Sequence, residues 1–217
     1  MNRIIVAIDL HCRQYRALEI GARLALIQRR ELTVLLIESV DLQRAAELPW
    51  VREIDRLSAS LQPFDPQRLR RWWQQRRQEI ERWLSRHALP GQMRIETGRY
   101  PETALAWSRD SDLLVLATPA SYAARTQPPV WVWYDGSEAG ERALRLAREL
   151  AAAEGCPLRV VAPPQQHPEL PEPVTPVPPE QLADFLAGRE CSAVVCPRSQ
   201  PRAARLPQVA RCPVLLV

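Results

Sequence analysis

Apolar residues along this chain follow two patterns, short unbroken runs and longer stretches in which they recur every three or four positions. Residues 3–8 form a β-branched run that stops at Asp9, and Ala17, Leu18, Gly21, Ala22, Leu24 and Ala25 then recur at helical spacing. Residues 32–37 form a second unbroken run behind the charged Arg29-Arg30-Glu31. Runs of this length without alternation fit parallel strands covered on both faces, with the amphipathic stretch as the crossover helix. Between residues 41 and 61 the pattern predicts a short helix from about Pro49, broken by Gln62-Pro63-Phe64-Asp65-Pro66. Over residues 66–87, Leu69, Trp73, Ile80, Trp83 and Leu84 keep mainly to one helical face, and Asp65-Pro66 supplies an N-cap and a first-turn proline. A third strand over 93–97, a helix over 101–108 and a fourth strand over 113–117 complete this half.

The pattern then begins again. Residues 4–37 align without a gap on residues 130–163, and nine positions are identical, among them Asp9 with Asp135, Ala17-Leu18 with Ala143-Leu144, and Leu24-Ala25 with Leu150-Ala151. Each copy has the form of a β-α-β unit, so two α/β domains are expected, at 1–127 and 128–217. The second copy predicts a strand over 130–134, a helix over 138–154 and a strand over 158–162. Eight prolines then fall within residues 163–179, too many missing donors for a helix or central strand, and predict an extended polyproline-like segment where the first copy has its long helix and third strand. A helix over 179–188, a strand over 193–196, a short broken helix over 202–211 and a last strand over 213–217 follow. The bulk of Trp131 and Trp133 in a central strand implies packing against large helices or against the other copy. The first copy lacks a fifth strand of its own, so the last strand of the second is expected to be an exposed edge that pairs two chains as a homodimer.

Composition narrows the picture. At 217 residues and 46% hydrophobic, the chain can bury a sizeable core. No apolar run approaches the roughly 20 residues that cross a bilayer, and the first ten residues lead straight into a strand pattern, so a cytoplasmic location without membrane partners is expected. Five scattered cysteines, Cys12, Cys156, Cys191, Cys196 and Cys212, form no CxxC pair and read as reduced thiols rather than metal ligands. All 29 basic residues are arginine, and the net charge of +4 is carried by residues 1–127. Arg68, Arg70, Arg71, Arg76 and Arg77 flank Trp72-Trp73, a combination of cations and stacking surfaces used by single-strand binders, but a balance this modest argues against nucleic acid.

Asp9 at the end of a strand, Ala17-Leu18 eight residues on, Gly98 followed by Pro101-Glu102, the strand Asp112 to Leu116 and the terminal Cys212 to Val217 together resemble the universal stress protein family, and Asp135-Gly136-Ser137 with Ala143-Leu144 repeats the first of these elements. The resemblance spans most of the chain, is weakest over 41–92 and is absent across the proline-rich segment. It implies a Rossmann-like α/β fold, with open parallel sheets of order 3-2-1-4-5 in tandem and the second domain shortened. Open sheets of this kind bind ligands at the carboxyl ends of the strands where the order reverses. That places Asp9 and Thr118 at one mouth, and Asp135, Ser137, Arg198 and Ser199 at the other.

Nucleotide-binding relatives hold ATP with the strand-one Asp and a glycine-rich loop after strand four. Here that loop reads Thr118-Pro119-Ala120-Ser121-Tyr122-Ala123-Ala124-Arg125 in the first copy and Pro197-Arg198-Ser199-Gln200-Pro201-Arg202 in the second, with no glycine in either. Prolines remove amide donors where phosphates would need them. Asp9 and Asp135 read equally as caps of the following helices, and the adjacent His11 and Cys12 do not by themselves make a catalytic pair. Arg198, Arg202, Arg205 and Arg211 could replace the loop with guanidinium groups or form a solvated basic face. The expectation is a non-catalytic bacterial stress-response or regulatory protein, with no cofactor. An adenine-nucleotide sensor for ATP or AMP, using a non-standard pocket, is the alternative, and a nucleic-acid binding module the third.

Overall fold

The computed structural model describes residues 3–10, 15–54, 60–87, 91–118, 128–165 and 170–217. In the first half, β1 (Ile4–Asp9) leads through α1 (Arg16–Gln28) to β2 (Leu32–Ser39), and β5 (Gly91–Gly98) and β6 (Leu113–Leu116) lie on the two sides of that pair. The second half repeats the arrangement with β7 (Val130–Trp133), α5 (Glu138–Glu154), β8 (Leu158–Ala162), β9 (Val174–Pro176), β10 (Ala193–Cys196) and β11 (Val214–Leu216). The strands form one nine-stranded sheet in the order β5-β2-β1-β6-β11-β10-β7-β8-β9. Read from each outer edge towards the centre, the second half has the order 3-2-1-4-5 and the first has 3-2-1-4.

The last strand stands at the seam between the halves. It runs parallel to β10, with Val194 opposite Val214, and antiparallel to β6, with Leu215 opposite Val115. One strand therefore serves as the fifth for both halves. This corrects the expectation of an exposed C-terminal edge: Val214, Leu215 and Leu216 are fully buried and hydrogen-bonded on both sides, so no edge remains there to pair a second chain.

Helices cover both faces. Ile4, Val6, Ile8, Leu32, Val34 and Leu36 point to the face covered by α1, α3 (Pro66–Arg86) and α5. The alternate residues Ile5, Ala7, Leu35 and Ile37 point to the face covered by α4 (Glu102–Trp107), α6 (Leu182–Ala187) and the short α7 (Leu206–Val209). This alternation under two apolar covers is why the strands read as unbroken apolar runs. Trp131 and Trp133 face the six-residue α6 rather than a large helix, with Trp131 edge-on to Phe185 at 5.3 Å between centroids.

Three local expectations are revised. The helix expected from Pro49 lies earlier, as α2 (Val40–Ala46), because Ser39 Oγ caps it by accepting from Leu42 N at 3.3 Å. The β-prone residues Val51 to Ile54 instead enter a small antiparallel hairpin of β3 (Arg52–Ile54) and β4 (Leu61–Pro63). The proline-rich segment omits the long helix but does supply a third strand. Val160 N donates to Pro173 O and Val177 N to Ala162 O, and Pro176 is tolerated because β9 is an edge. Lastly, Cys191 and Cys212 are joined in a disulfide rather than free, since the pairing of β10 with β11 brings the residues just before each strand to a Cα separation of 5.7 Å. Cys156 and Cys196 are free thiols.

Candidate functional site

The strand-end aspartate of the second half is held by its own turn. Asp135 Oδ1 accepts from Ser137 N at 3.1 Å and from Ser137 Oγ at 2.5 Å, and Ser137 Oγ in turn accepts from Gly140 N at 3.0 Å as the N-cap of α5. Gly136 has φ of 72°, which permits the tight turn, and a Cβ at Gly140 would lie 2.5 Å from Asp135 Oδ1. Asp135 and Ser137 thus form a helix cap.

Side chains of the loop after β10 also bond within the fold. Arg198, level with Asp135 on the neighbouring strand, reaches across the seam and donates to Ser108 Oγ at 2.8 Å and to Asp112 O at 2.9 Å. Burial lowers its pKa, partly countered by Asp110 and Asp112. Gln200 Nε2 donates to Pro179 O and Arg202 Nη1 to Glu180 O, while Ser199 is exposed. Of the four arginines of this region, Arg198 and Arg202 are thus spent on contacts within the fold, while Arg205 and Arg211 are exposed.

In the first half, the pairing of Ala7 with Leu116 sets Asp9 and Thr118 level on neighbouring strands, as the reversal of strand order requires. Thr118 is fully buried, and its Oγ1 has no hydrogen-bond partner among the described residues. The Tyr100 hydroxyl fills the other side of this point, donating to Ala117 O and lying 3.5 Å from Ala7 O. His11, Cys12 and the loop 119–127 lie outside the described residues.

An open crevice lies beside this point. A cavity of about 560 Å³ is bounded by Leu10, by Glu38 at the end of β2, by Gln43, Ala46 and Glu47 around α2, by Ile95, and by Pro66, Leu69, Arg70, Trp73, Gln74 and Arg77 of α3. The helix α3 stands over it because Asp65 accepts from Gln67 N at 2.9 Å, Pro66 opens the first turn, and Leu69, Trp73, Arg76 and Ile80 bury one face. Asp41 and Arg99, paired at 3.1 Å, tie α2 to the end of β5. Burial pushes the Glu38 carboxyl up, with Arg77 pulling the other way, and Gln43 Nε2 donates to Glu38 at 3.4 Å. The crevice wall is half apolar, from Leu10, Ala46, Pro66, Leu69, Trp73 and Ile95, and half polar or charged.

None of the six residues singled out from sequence lines this crevice. Of its charged groups, Arg70 and Arg77 belong to the run noted in the sequence, whereas Glu38 and Glu47 carried no signal there. The visible signal was the arginine-tryptophan run, which the structure divides: Trp73 is core, Arg76 is buried against Glu79 at 2.5 Å and Tyr15 at 3.1 Å, and Arg68, Arg71 and Arg77 are each paired with an acid. Arg70 alone of the five is exposed without an ion pair among the described residues. Neither described free thiol is activated, since burial pushes both Cys156 and Cys196 up. No group of three or more His, Cys, Asp or Glu side chains converges among the described residues, and none of the described helices is long and apolar enough to cross a membrane.

The architecture has solved counterparts. A protein ascribed to the universal stress proteins from Pseudomonas aeruginosa UCBPP-PA14 superposes over 100% of this chain and 93% of its own, with a TM-score of 0.52 at 11% identity. A universal stress protein from Archaeoglobus fulgidus DSM 4304 covers 98% of this chain and 95% of its own, with a TM-score of 0.50 at 11% identity. The chain has the universal stress protein fold. A protein of unknown function from Pseudomonas aeruginosa PAO1 shares it, at 10% identity and a TM-score of 0.50 over 98% of this chain and 92% of its own. No family model matches the sequence, and no curated protein does. Likeness at this level of identity is a likeness of backbone, and the ligand chemistry of this universal stress protein fold rests on the side chains described above.

Proposed function

We propose that the chain is a non-catalytic regulatory protein of the stress-response type, in which the first half receives a small ligand in the crevice under α3 and the second half is a scaffold. The observation that carries this reading is the contrast between the halves. The strand-end turn of the second is closed by Asp135 and Ser137, while the first keeps a cavity of about 560 Å³ with an unpaired Arg70 at its wall. The volume lies in the usual range of roughly 300–1,000 Å³ for small-molecule sites. Burial pushes the thiols of Cys156 and Cys196 up, which speaks against nucleophilic chemistry by either and supports a binding role.

An adenine nucleotide is the second reading, because Arg70 offers a guanidinium without an ion pair at a cleft large enough for it. Calorimetric titration of ATP and AMP, with and without magnesium, tests both when combined with phosphate release from ATP. Micromolar heat lost in Arg70→Ala, with no phosphate released, makes the nucleotide the ligand of this crevice. Phosphate release above the blank that disappears in Glu38→Gln or Arg70→Ala overturns the non-catalytic reading.

A further inference from the structure

The nine-stranded sheet ends in two edges of opposite character. At one end stands β9, 3 residues long, with Pro173 before it and Pro176 at its close. Proline has no amide to offer a further strand, so that edge is blunted. At the other end stands β5, 8 residues long, paired with β2 in unbroken register from Leu32 opposite Gly91 to Ser39 opposite Gly98. It contains no proline and no bulge, and its outer side has no backbone partner among the described residues. A regular edge of this length is a template for another strand.

The side chains of β5 say what that strand is. Met93 and Ile95 pack on the face covered by α3, so the alternate residues Arg94 and Glu96 lie on the opposite face. Their neighbours across the pairing with β2 are Leu35 and Ile37, which offer no charge. Arg94 Nη2 donates to Gln92 Oε1 at 3.4 Å, and neither Arg94 nor Glu96 has an ion pair among the described residues. Arg94 is exposed and Glu96 half-buried. Two opposite charges therefore stand two positions apart on an open edge, each lacking a counter-charge in its own chain.

We propose that a second copy of this chain pairs here, β5 antiparallel to β5, about a two-fold axis at Ile95. In this register Arg94 of each chain faces Glu96 of the other, and on the opposite face Ile95 meets its own copy and Met93 faces Thr97. Residues directly opposite in an antiparallel pair lie about 4.5–5.5 Å apart, which lets both guanidinium groups reach their carboxylates. Moving the axis by one residue sets Arg94 against Arg94 or Glu96 against Glu96, so charge selects the register. The joined sheet has two β9 edges as its ends, both blunted by proline, and assembly stops at two chains. The homodimer expected at the C-terminal strand thus moves to the far side of the first half, because the C-terminal strand is spent inside the chain. Ile95 also bounds the crevice under α3, so the two crevices lie on one face of the joined sheet. The pairing stands whether or not they bind anything.

The test is the mass of the full chain by light scattering and sedimentation equilibrium, at concentrations up to about 100 µM, where a dimer is expected. Arg94→Glu sets like charges opposite each other at both symmetry-related pairs and is expected to raise the dissociation constant about tenfold or more, as is Glu96→Arg. The double variant Arg94→Glu/Glu96→Arg restores opposite charges in the same register and is expected to recover the dimer. Thermal midpoints near that of the native protein separate a lost contact from a lost fold. A monomeric mass throughout overturns the proposal, as does a dimer that neither single reversal weakens. A dimer that the single reversals weaken and the double variant does not recover overturns it as well. Loss of the dimer in Ile54→Ser/Leu61→Ser, a pair exposed on the β3–β4 hairpin, with Arg94→Glu unaffected, places the contact on the hairpin and overturns it too.

Discussion

Asp112, just before β6, shows how much one side chain can hold. It is buried, and it accepts from Arg3 N at 3.3 Å, from Arg3 Nη2 at 3.0 Å and from Arg109 N at 3.0 Å. Burial raises its pKa, but these hydrogen bonds together outweigh burial and hold the carboxyl below its ordinary range. A depressed carboxylate stabilises the fold fully above its unfolded pKa of about 3.9, and that contribution is lost as pH falls through the lower folded value. Asp112→Asn is therefore expected to cost about 2 kcal/mol at neutral pH and to flatten the acid limb of the stability profile, measured by urea unfolding from pH 7 to pH 3. The sequence picked out Asp112 only as part of a strand motif. Its partners lie 109 residues before it and three residues before it, and only the first of these needs the fold.

Among elements, those decided by local chemistry were legible. The helix α5 follows its predicted span because Ser137 caps it and Gly155, at φ of 64°, ends it. The helix α2 was misplaced because a serine cap is a weaker signal than a proline, and nothing in the sequence shows which of two possible starts the tertiary contacts reward. The long helices α1 and α5 lean on each other through Glu154, whose side chain is 8% exposed between Arg16 and Arg23. Glu154→Ala leaves two partly exposed arginines without their carboxylate, and a loss of about 1–2 kcal/mol is expected in urea unfolding. The exposed Glu138→Ala, which breaks only the helical pair with Arg142, is expected to stay within about 0.5 kcal/mol.

At the scale of the whole molecule, the shared strand makes the two halves one sheet, and the Cys191–Cys212 disulfide fastens that strand to its neighbour. The bridge closes a loop of 21 residues, for which the chain-entropy account gives roughly 3 kcal/mol. Dithiothreitol is expected to lower the thermal midpoint of the native protein and to leave that of the Cys191→Ser/Cys212→Ser double variant unchanged. Equal midpoints with and without reductant in the native protein would contradict it.

What the sequence by itself determined is the part encoded in short windows: the repeat, the order of strands and crossover helices, the two-sided burial of the strands, and the aspartate-capped turns. These follow from periodicity and capping, which need only neighbours along the chain. Tertiary structure alone decided that the last strand closes both halves, that two distant cysteines meet, that Arg198 crosses the seam, and that α3 stands over an open crevice beside the end of β1. Each of these depends on which edge finds a partner, and a strand reads the same in sequence whether its hydrogen bonds are met by its own half, by the other half or by another chain.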